Sequence, residues 1–291
     1  MKNIKNSAER ILLHTNEKYG SAWQISGQNL LTLYRHLRQT ESAPKFPPPA
    51  FKSIVPLSDL KKTQHIGVIV ETRRIDAIFF VVENFIEQTN QPAHVFLSEN
   101  NIDYVSSPLL TRYLEIGMLA ISKLDADSLT ASNYNALLLS EALWENHSSF
   151  DKLIVFQTDS CICPSSPFEL SDFLEFDYIG ADWSRSRPVG LVIDGGVGGF
   201  SLRDIAKARQ CLQQFDPKLW PSGEDGYFGF HMELLGGNVA RSEDRQRFCA
   251  QENFVARSFA CHSVNSMSAK SRAEFIKYCP EAMKLNNSGA A

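Results

Sequence analysis

The spacing of hydrophobic and polar positions changes character along the chain. Within residues 7–39, Leu30, Leu33, Tyr34 and Leu37 fall at helical spacing, and Gly20 and Gly27 interrupt the pattern, which predicts two short helices. Pro44, Pro47, Pro48 and Pro49 follow, in a stretch that can sustain neither a helix nor a central strand. Beyond them, short apolar strands alternate with amphipathic helices. Residues 65–71 (HIGVIVE) form a near-continuous β-branched run of the kind that is covered on both faces, and residues 75–87 then take helical period. Residues 94–97 predict a second strand, 116–121 a third and 153–156 a fourth, with a helix over 134–144 whose start Asn133 is placed to cap. After Pro164 the order is more mixed: a helix end leading into a strand over 173–179, a strand at 200–203, and helices at 205–214 and 226–235.

This alternation predicts an α/β fold with a mostly parallel central sheet between helical layers, in which ligands collect beyond the carboxyl ends of the strands. The expected organisation is a helical N-terminal extension (1–43), a proline-rich linker (44–63), one α/β domain (64–280) and a disordered tail (281–291).

Composition narrows the function classes. A net charge of −4 with scattered basic residues leaves no electrostatic footprint for nucleic acid. No stretch reaches the roughly 20 apolar residues that span a bilayer, and the first residues lack the apolar core of a signal peptide. A soluble cytoplasmic protein, free or peripheral at the inner membrane face, is expected. The six cysteines form no C-x-x-C pair, so reduced thiols are expected; Cys161 and Cys163 would share a face of a strand but lack the second pair that a structural zinc needs.

Four places can carry chemistry, each with a plain structural alternative. Asp159 follows the fourth strand, where a carboxylate either holds a hard divalent cation or merely begins a loop. Gly195, Gly196, Gly198 and Gly199 permit close backbone approach to a ligand, or make a flexible loop; they precede a strand and are therefore not a dinucleotide fingerprint. Glu224 and Asp225 stand at the start of a helix, where acids are favoured by the helix dipole and where one facing the crevice would serve as a general base. His262 is a candidate metal ligand or a structural histidine.

The run Phe156-Gln157-Thr158-Asp159-Ser160-Cys161, then Phe176-Asp177-Tyr178-Ile179-Gly180-Ala181-Asp182-Trp183, resembles a bacterial and fungal family of unassigned function grouped with GT-A glycosyltransferases. Glu71-Thr72-Arg73, Tyr134-Asn135, Gly198-Gly199-Phe200-Ser201-Leu202-Arg203 and Glu224-Asp225 add to the likeness, which covers about residues 66–265. The resemblance implies a GT-A-like fold and a metal-assisted, inverting transfer of sugar from a nucleotide-diphosphate sugar to a hydroxyl of a glycan, lipid-linked or small-molecule acceptor. It implies Glu71, Thr72, Arg73, Arg74, Gln157, Asp159, Gly198 and Gly199 for donor binding. Asp159 and His262 would hold Mn2+ or Mg2+, and Asp225, or else Glu224, would be the base. Gln157 departs from the pattern, standing neutral where the family of folds has a carboxylate, which weakens the implied metal site. The competing expectations are a catalytically silent module of the same fold and, less well matched, a nucleotidyltransferase, which should show a glycine-rich basic loop after the first strand. Phe200, Trp183 and Trp220 are candidates to stack on a sugar ring, or else core residues.

Overall fold

The computed structural model describes residues 47–182, 193–220 and 222–285. In chain order the strands are β1 (Phe51–Val55), β2 (His65–Val70), β3 (Ala93–Leu97), β4 (Leu119–Leu124), β5 (Lys152–Val155), β6 (Ser160–Ile162), β7 (Tyr178–Ala181), β8 (Val197–Asp204), β9 (Cys249–Ala250) and β10 (Ala260–His262). The helices are α1 (Ala77–Thr89), α2 (Pro108–Glu115), α3 (Ala131–Leu138), α4 (Glu141–Asn146), α5 (Ile205–Gln214), α6 (Glu224–Leu234), α7 (Ser242–Phe248) and α8 (Ala269–Tyr278). The two helices expected before residue 40 lie outside the described residues, as does Trp183.

A seven-stranded sheet runs β1-β4-β3-β2-β5-β8-β7, and a three-stranded one runs β6-β10-β9. The four strands β4-β3-β2-β5 are parallel, while β1 pairs antiparallel with β4 and β8 antiparallel with both β5 and β7. Successive strand residues enter different hydrophobic clusters: Ile69, Val95, Ile121 and Ile154 pack into one, and Val68, Phe96, Ala120, Leu153 and Val155 into the other. That alternation places a core on each face of the sheet, so the strands read as unbroken apolar runs.

Three sequence expectations shift in place. Residues 51–55, inside the stretch read as linker, join the large sheet as an edge strand against β4. The helix expected over 134–144 divides into α3 and α4, because the Ser140 hydroxyl accepts from the Leu143 N–H and donates to the Leu137 carbonyl, so one helix ends as the next is capped. Its first cap is the Thr130 hydroxyl, which accepts from the N–H of Asn133, the residue expected to cap. Among the described residues, no helix is long and apolar enough to cross a membrane.

All six cysteines are free and buried. Cys161 and Cys261 face each other across the β6–β10 ladder with sulfurs 3.4 Å apart, and Cys163 and Cys279 join them. The second thiol pair missing from the local sequence is thus present in space. Even so, no group of three or more His, Cys, Asp or Glu arranged to hold a metal ion exists among the described residues.

Candidate functional site

The chain runs β2 to β3 to β4 toward one edge, then crosses back to place β5 on the other side of β2. Such a reversal opens a crevice between the carboxyl ends of the two central strands. Glu71 follows β2 and Gln157 follows β5 at that point. Because β8 runs antiparallel to β5, with Val155 opposite Ser201, the start of β8 at Gly198 and Gly199 lies at the same end. Topology therefore brings the loops after β2 and β5 and the start of β8 together, and β10 adds His262 to them.

On the β2 side, buried Glu71 uses both carboxylate oxygens. Oε1 accepts from the Arg73 N–H and Nε, each at 2.9 Å, and Oε2 accepts from the Arg73 guanidinium at 2.8 Å and from the Thr158 hydroxyl at 3.2 Å. The last bond ties the loop after β2 to the loop after β5. Asn101 donates to the carbonyls of Glu71 and Arg73, and the Thr72 hydroxyl accepts from the Leu129 N–H, so the segment is fixed from several directions. Arg73 keeps 57% of its side chain exposed. Its hydrogen bonds to Glu71 hold its pKa above the ordinary value against the opposing effect of burial. Arg74 instead turns to Asp103 at 2.7 Å and lies over the Tyr104 ring.

Ser160 and His262 are opposite one another in the β6–β10 ladder, which sets the imidazole beside the Gln157–Asp159 loop. Its Nε2 lies 3.1 Å from Gln157 Oε1 and 3.3 Å from Asp159 Oδ1, and its Nδ1 lies 3.1 Å from Gln251 Oε1. Burial pushes the Asp159 carboxyl up, but the hydrogen bond and charge of His262 outweigh it and hold the pKa below the usual range. Both ring nitrogens thus face acceptor oxygens, and which of them carries the proton depends on the tautomer. Two side chains of metal-ligating type, Asp159 and His262, therefore stand together with the neutral Gln157 amide beside them.

The glycine run has a steric explanation. A β-carbon at Gly199 would overlap the His262 ring, and one at Gly198 would overlap the Glu224 carboxylate. Gly195 and Gly196, both at φ +101°, turn the chain into β8 against Tyr178 and the Ala181 carbonyl.

The two acids at the start of α6 differ sharply. Glu224 is buried and makes a bidentate ion pair with Arg203, a side chain with no exposed surface. Burial pushes its carboxyl upward, and the Arg203 charge opposes that. Asp225 is half-buried and is held by backbone: Oδ1 accepts from the Gly226 N–H at 2.7 Å and Oδ2 from the Gly198 N–H at 3.4 Å. Burial again raises its pKa, moderated by the Gly226 N–H and the Arg203 charge. Tyr134 on α3 faces both the Gln157 amide and the Glu224 carboxylate, and burial pushes its phenol up.

Sequence reasoning assigned no role to Tyr134, Asn135, Arg203 or Gln251. Arg203 carries a readable signal, a lone cation closing the apolar run Phe200-Ser201-Leu202. Gln251 and Asn135 carry none, because a neutral amide gains its meaning only from the partner folding puts beside it. Of the aromatic candidates, Phe200 packs in the core against Phe248 and Phe259, and Trp220 is buried against Phe230.

Residues 118–262 match the model of a protein family of unknown function, DUF5672. No curated protein matches the chain. Among solved structures, a mannosyltransferase from Pyrobaculum calidifontis, determined in complex with GDP-Man and Mn2+, is similar at a TM-score of 0.38 and 15% identity over 80% of this chain. The likeness spans 65% of the length of that protein.

Proposed function

We propose that this chain is a glycosyltransferase that moves a sugar from a nucleotide-diphosphate sugar to an acceptor hydroxyl, with inversion, in the synthesis of a glycan or polysaccharide. The observation that carries the proposal is the contrast between Glu224 and Asp225. One is locked in a buried ion pair, while its neighbour stays half-open with a raised pKa and no cation bonded to it. A carboxylate so placed can accept a proton from a hydroxyl, and its raised basicity suits a general base. It also stands one residue along β8 from the group that would meet the donor: Gly198 touches Asp225, and Gly199 touches His262.

In this reading Arg73, oriented by Glu71, binds the diphosphate, since guanidinium pairs with phosphate oxygens in bidentate fashion. Glu71 and Thr72 line the nucleoside end. Asp159 and His262, with Gln157 beside them, would hold the divalent cation; when bound, it supplies positive charge to the departing nucleoside diphosphate. Asp225 takes the acceptor proton on the opposite face, which places nucleophile and leaving group in line and inverts the anomeric centre.

Gln157 supports a second reading, a silent module that binds a nucleotide or glycan, because it replaces a fixed charge by an amide engaged with His262.

Calorimetric titration with uridine, guanosine, cytidine and thymidine diphospho-sugars, with and without Mn2+, tests both. Metal-dependent binding of one class, lost in Asp159→Ala, with sugar transfer lost but binding kept in Asp225→Asn, supports the transferase. Binding that persists without transfer in the unmodified protein supports the silent module, and no binding at all overturns the donor site.

A further inference from the structure

We infer that Arg203 is the positioning residue of this site: it does not touch substrate, but it sets both the place and the basicity of Asp225. The inference rests on the reading of Asp225 as the base, and deepens it.

Four residues close a ring. Arg203 binds the Glu224 carboxylate through both terminal nitrogens and also donates to the Gly198 carbonyl at 3.4 Å. The Gly198 N–H donates to Asp225, and Asp225 follows Glu224 in the chain. Glu224, which precedes Asp225 in the chain, and Gly198, one of the two N–H donors to its carboxylate, therefore hang from the same guanidinium. The guanidinium has no freedom of its own. It lies 5.2 Å from the Tyr178 ring centre and 5.4 Å from that of Phe228, and its Nε donates to the Ser201 hydroxyl, which in turn donates to the Gly198 carbonyl. The Glu224 N–H is taken by Asn135 Oδ1 at 2.7 Å, so the first turn of α6 is fixed from α3 as well.

Such an arrangement does more than hold the fold. A planar guanidinium delivers two parallel hydrogen bonds in one fixed orientation, which a lysine cannot reproduce. Misplacement of a reacting group by about 1 Å costs on the order of 10²-fold in rate. The ionisable groups around Asp225 are Glu224, Arg203, and the phenol of Tyr178, with Tyr134 beyond Glu224. Arg203 is the cation among them, so it favours the ionised base.

Two variants of the full chain test this. Arg203→Lys retains the charge and loses the fork; Arg203→Met with Glu224→Gln removes both buried charges together, so that neither is left unpaired. Each is read by calorimetric donor affinity, by kcat and KM for transfer, by the pH profile of kcat/KM, and by carbon NMR titration of the Asp225 carboxyl. The expected result for Arg203→Lys is donor affinity kept within about twofold and kcat lowered about 10²-fold. For the double variant, the acid limb of the profile and the Asp225 titration move together, since the Arg203 charge that favours the ionised base and the Glu224 charge that opposes it are removed at once. Folded variants with unchanged kcat and an unchanged Asp225 titration overturn the inference. Should no chain, unmodified included, transfer sugar, the transferase reading fails on its own. The NMR titration still decides whether Arg203 governs Asp225.

Discussion

Gly199 and His262 touch so closely that no side chain can stand between them: a β-carbon at position 199 would overlap the imidazole Nε2. Gly199→Ala must therefore rotate His262 away from Gln157 and Asp159 or push β8 off β10. The expected cost is about 1–3 kcal/mol from overpacking, together with loss of metal-dependent donor binding. Denaturant unfolding and calorimetry read the two separately. Wild-type affinity in Gly199→Ala would show that His262 has no part in the site.

Glu71 holds Arg73 through both oxygens while bonded to Thr158. Replacing it by glutamine keeps the shape but removes the charge that orients the guanidinium. Donor affinity in Glu71→Gln is expected to fall about tenfold, which corresponds to about 1.4 kcal/mol. Because the lost contact is ionic, the deficit should shrink at high salt. An unchanged dissociation constant at low ionic strength would remove Arg73 from the phosphate site.

His94 and His147 form a buried pair outside the candidate site. His94 Nδ1 lies 2.9 Å from His147 Nε2, His94 Nε2 lies 2.9 Å from the Ser122 hydroxyl, and His147 Nδ1 donates to the Leu143 carbonyl. Burial lowers the pKa of both, His147 to about 4 against the opposing Leu143 hydrogen bond, and the His147 ring further disfavours charge on His94. Both are neutral when folded but take up protons near the ordinary histidine value when unfolded. Their contribution to stability is thus complete above pH 6.5 and is lost as pH falls toward 4. Between those limits the slope is up to about 1.4 kcal/mol per pH unit for each proton. Urea unfolding at pH 7, 5.5 and 4.5 should show a shallower decline in His147→Gln than in the unmodified protein. Parallel declines would exclude the pair as an acid-sensitive element.

The thiols offer a simple check of the core. All six are buried, and burial raises the pKa of Cys211 and Cys249. Folded protein should react with a thiol-labelling reagent only at the rate of global opening, and all six groups should appear together in denaturant. Rapid labelling of Cys161, Cys163 or Cys261 in native buffer would place a solvent path into the layer beside Asp159 and His262.

Much of the sheet was legible from the chain alone. The runs at 65–71, 94–97 and 153–156 are apolar on successive residues, which only a doubly covered strand tolerates, and they became β2, β3 and β5. The residues that end them were legible for the same reason, since the first polar side chain after a buried parallel strand must emerge at its carboxyl end. Glu71 and Gln157 obey that rule, and so does the clustering of Asp159 nearby. The start of α6 was marked by Glu224 and Asp225, as acids are favoured there by unpaired N–H groups.

The roles of those two acids were not legible. Adjacent carboxylates look alike in sequence; what separates them is that β8, running antiparallel beside β5, carries the Arg203 guanidinium to one and the Gly198 backbone N–H to the other. The steric need for two of the glycines was likewise hidden, because Gly198 and Gly199 leave room for Glu224 and His262, which lie 25 or more residues away in the chain. Residues 51–55 were hidden behind the prolines, because an edge strand needs a partner on one side only and its pattern is correspondingly faint. Local sequence determined where this chain extends, coils and turns polar, since those choices depend on neighbours a few residues away. Which carboxylate is paired with a cation, which oxygens the His262 ring meets and which side chains the glycines make room for were decided by tertiary structure, because each depends on a contact between segments that only the folded sheet brings together.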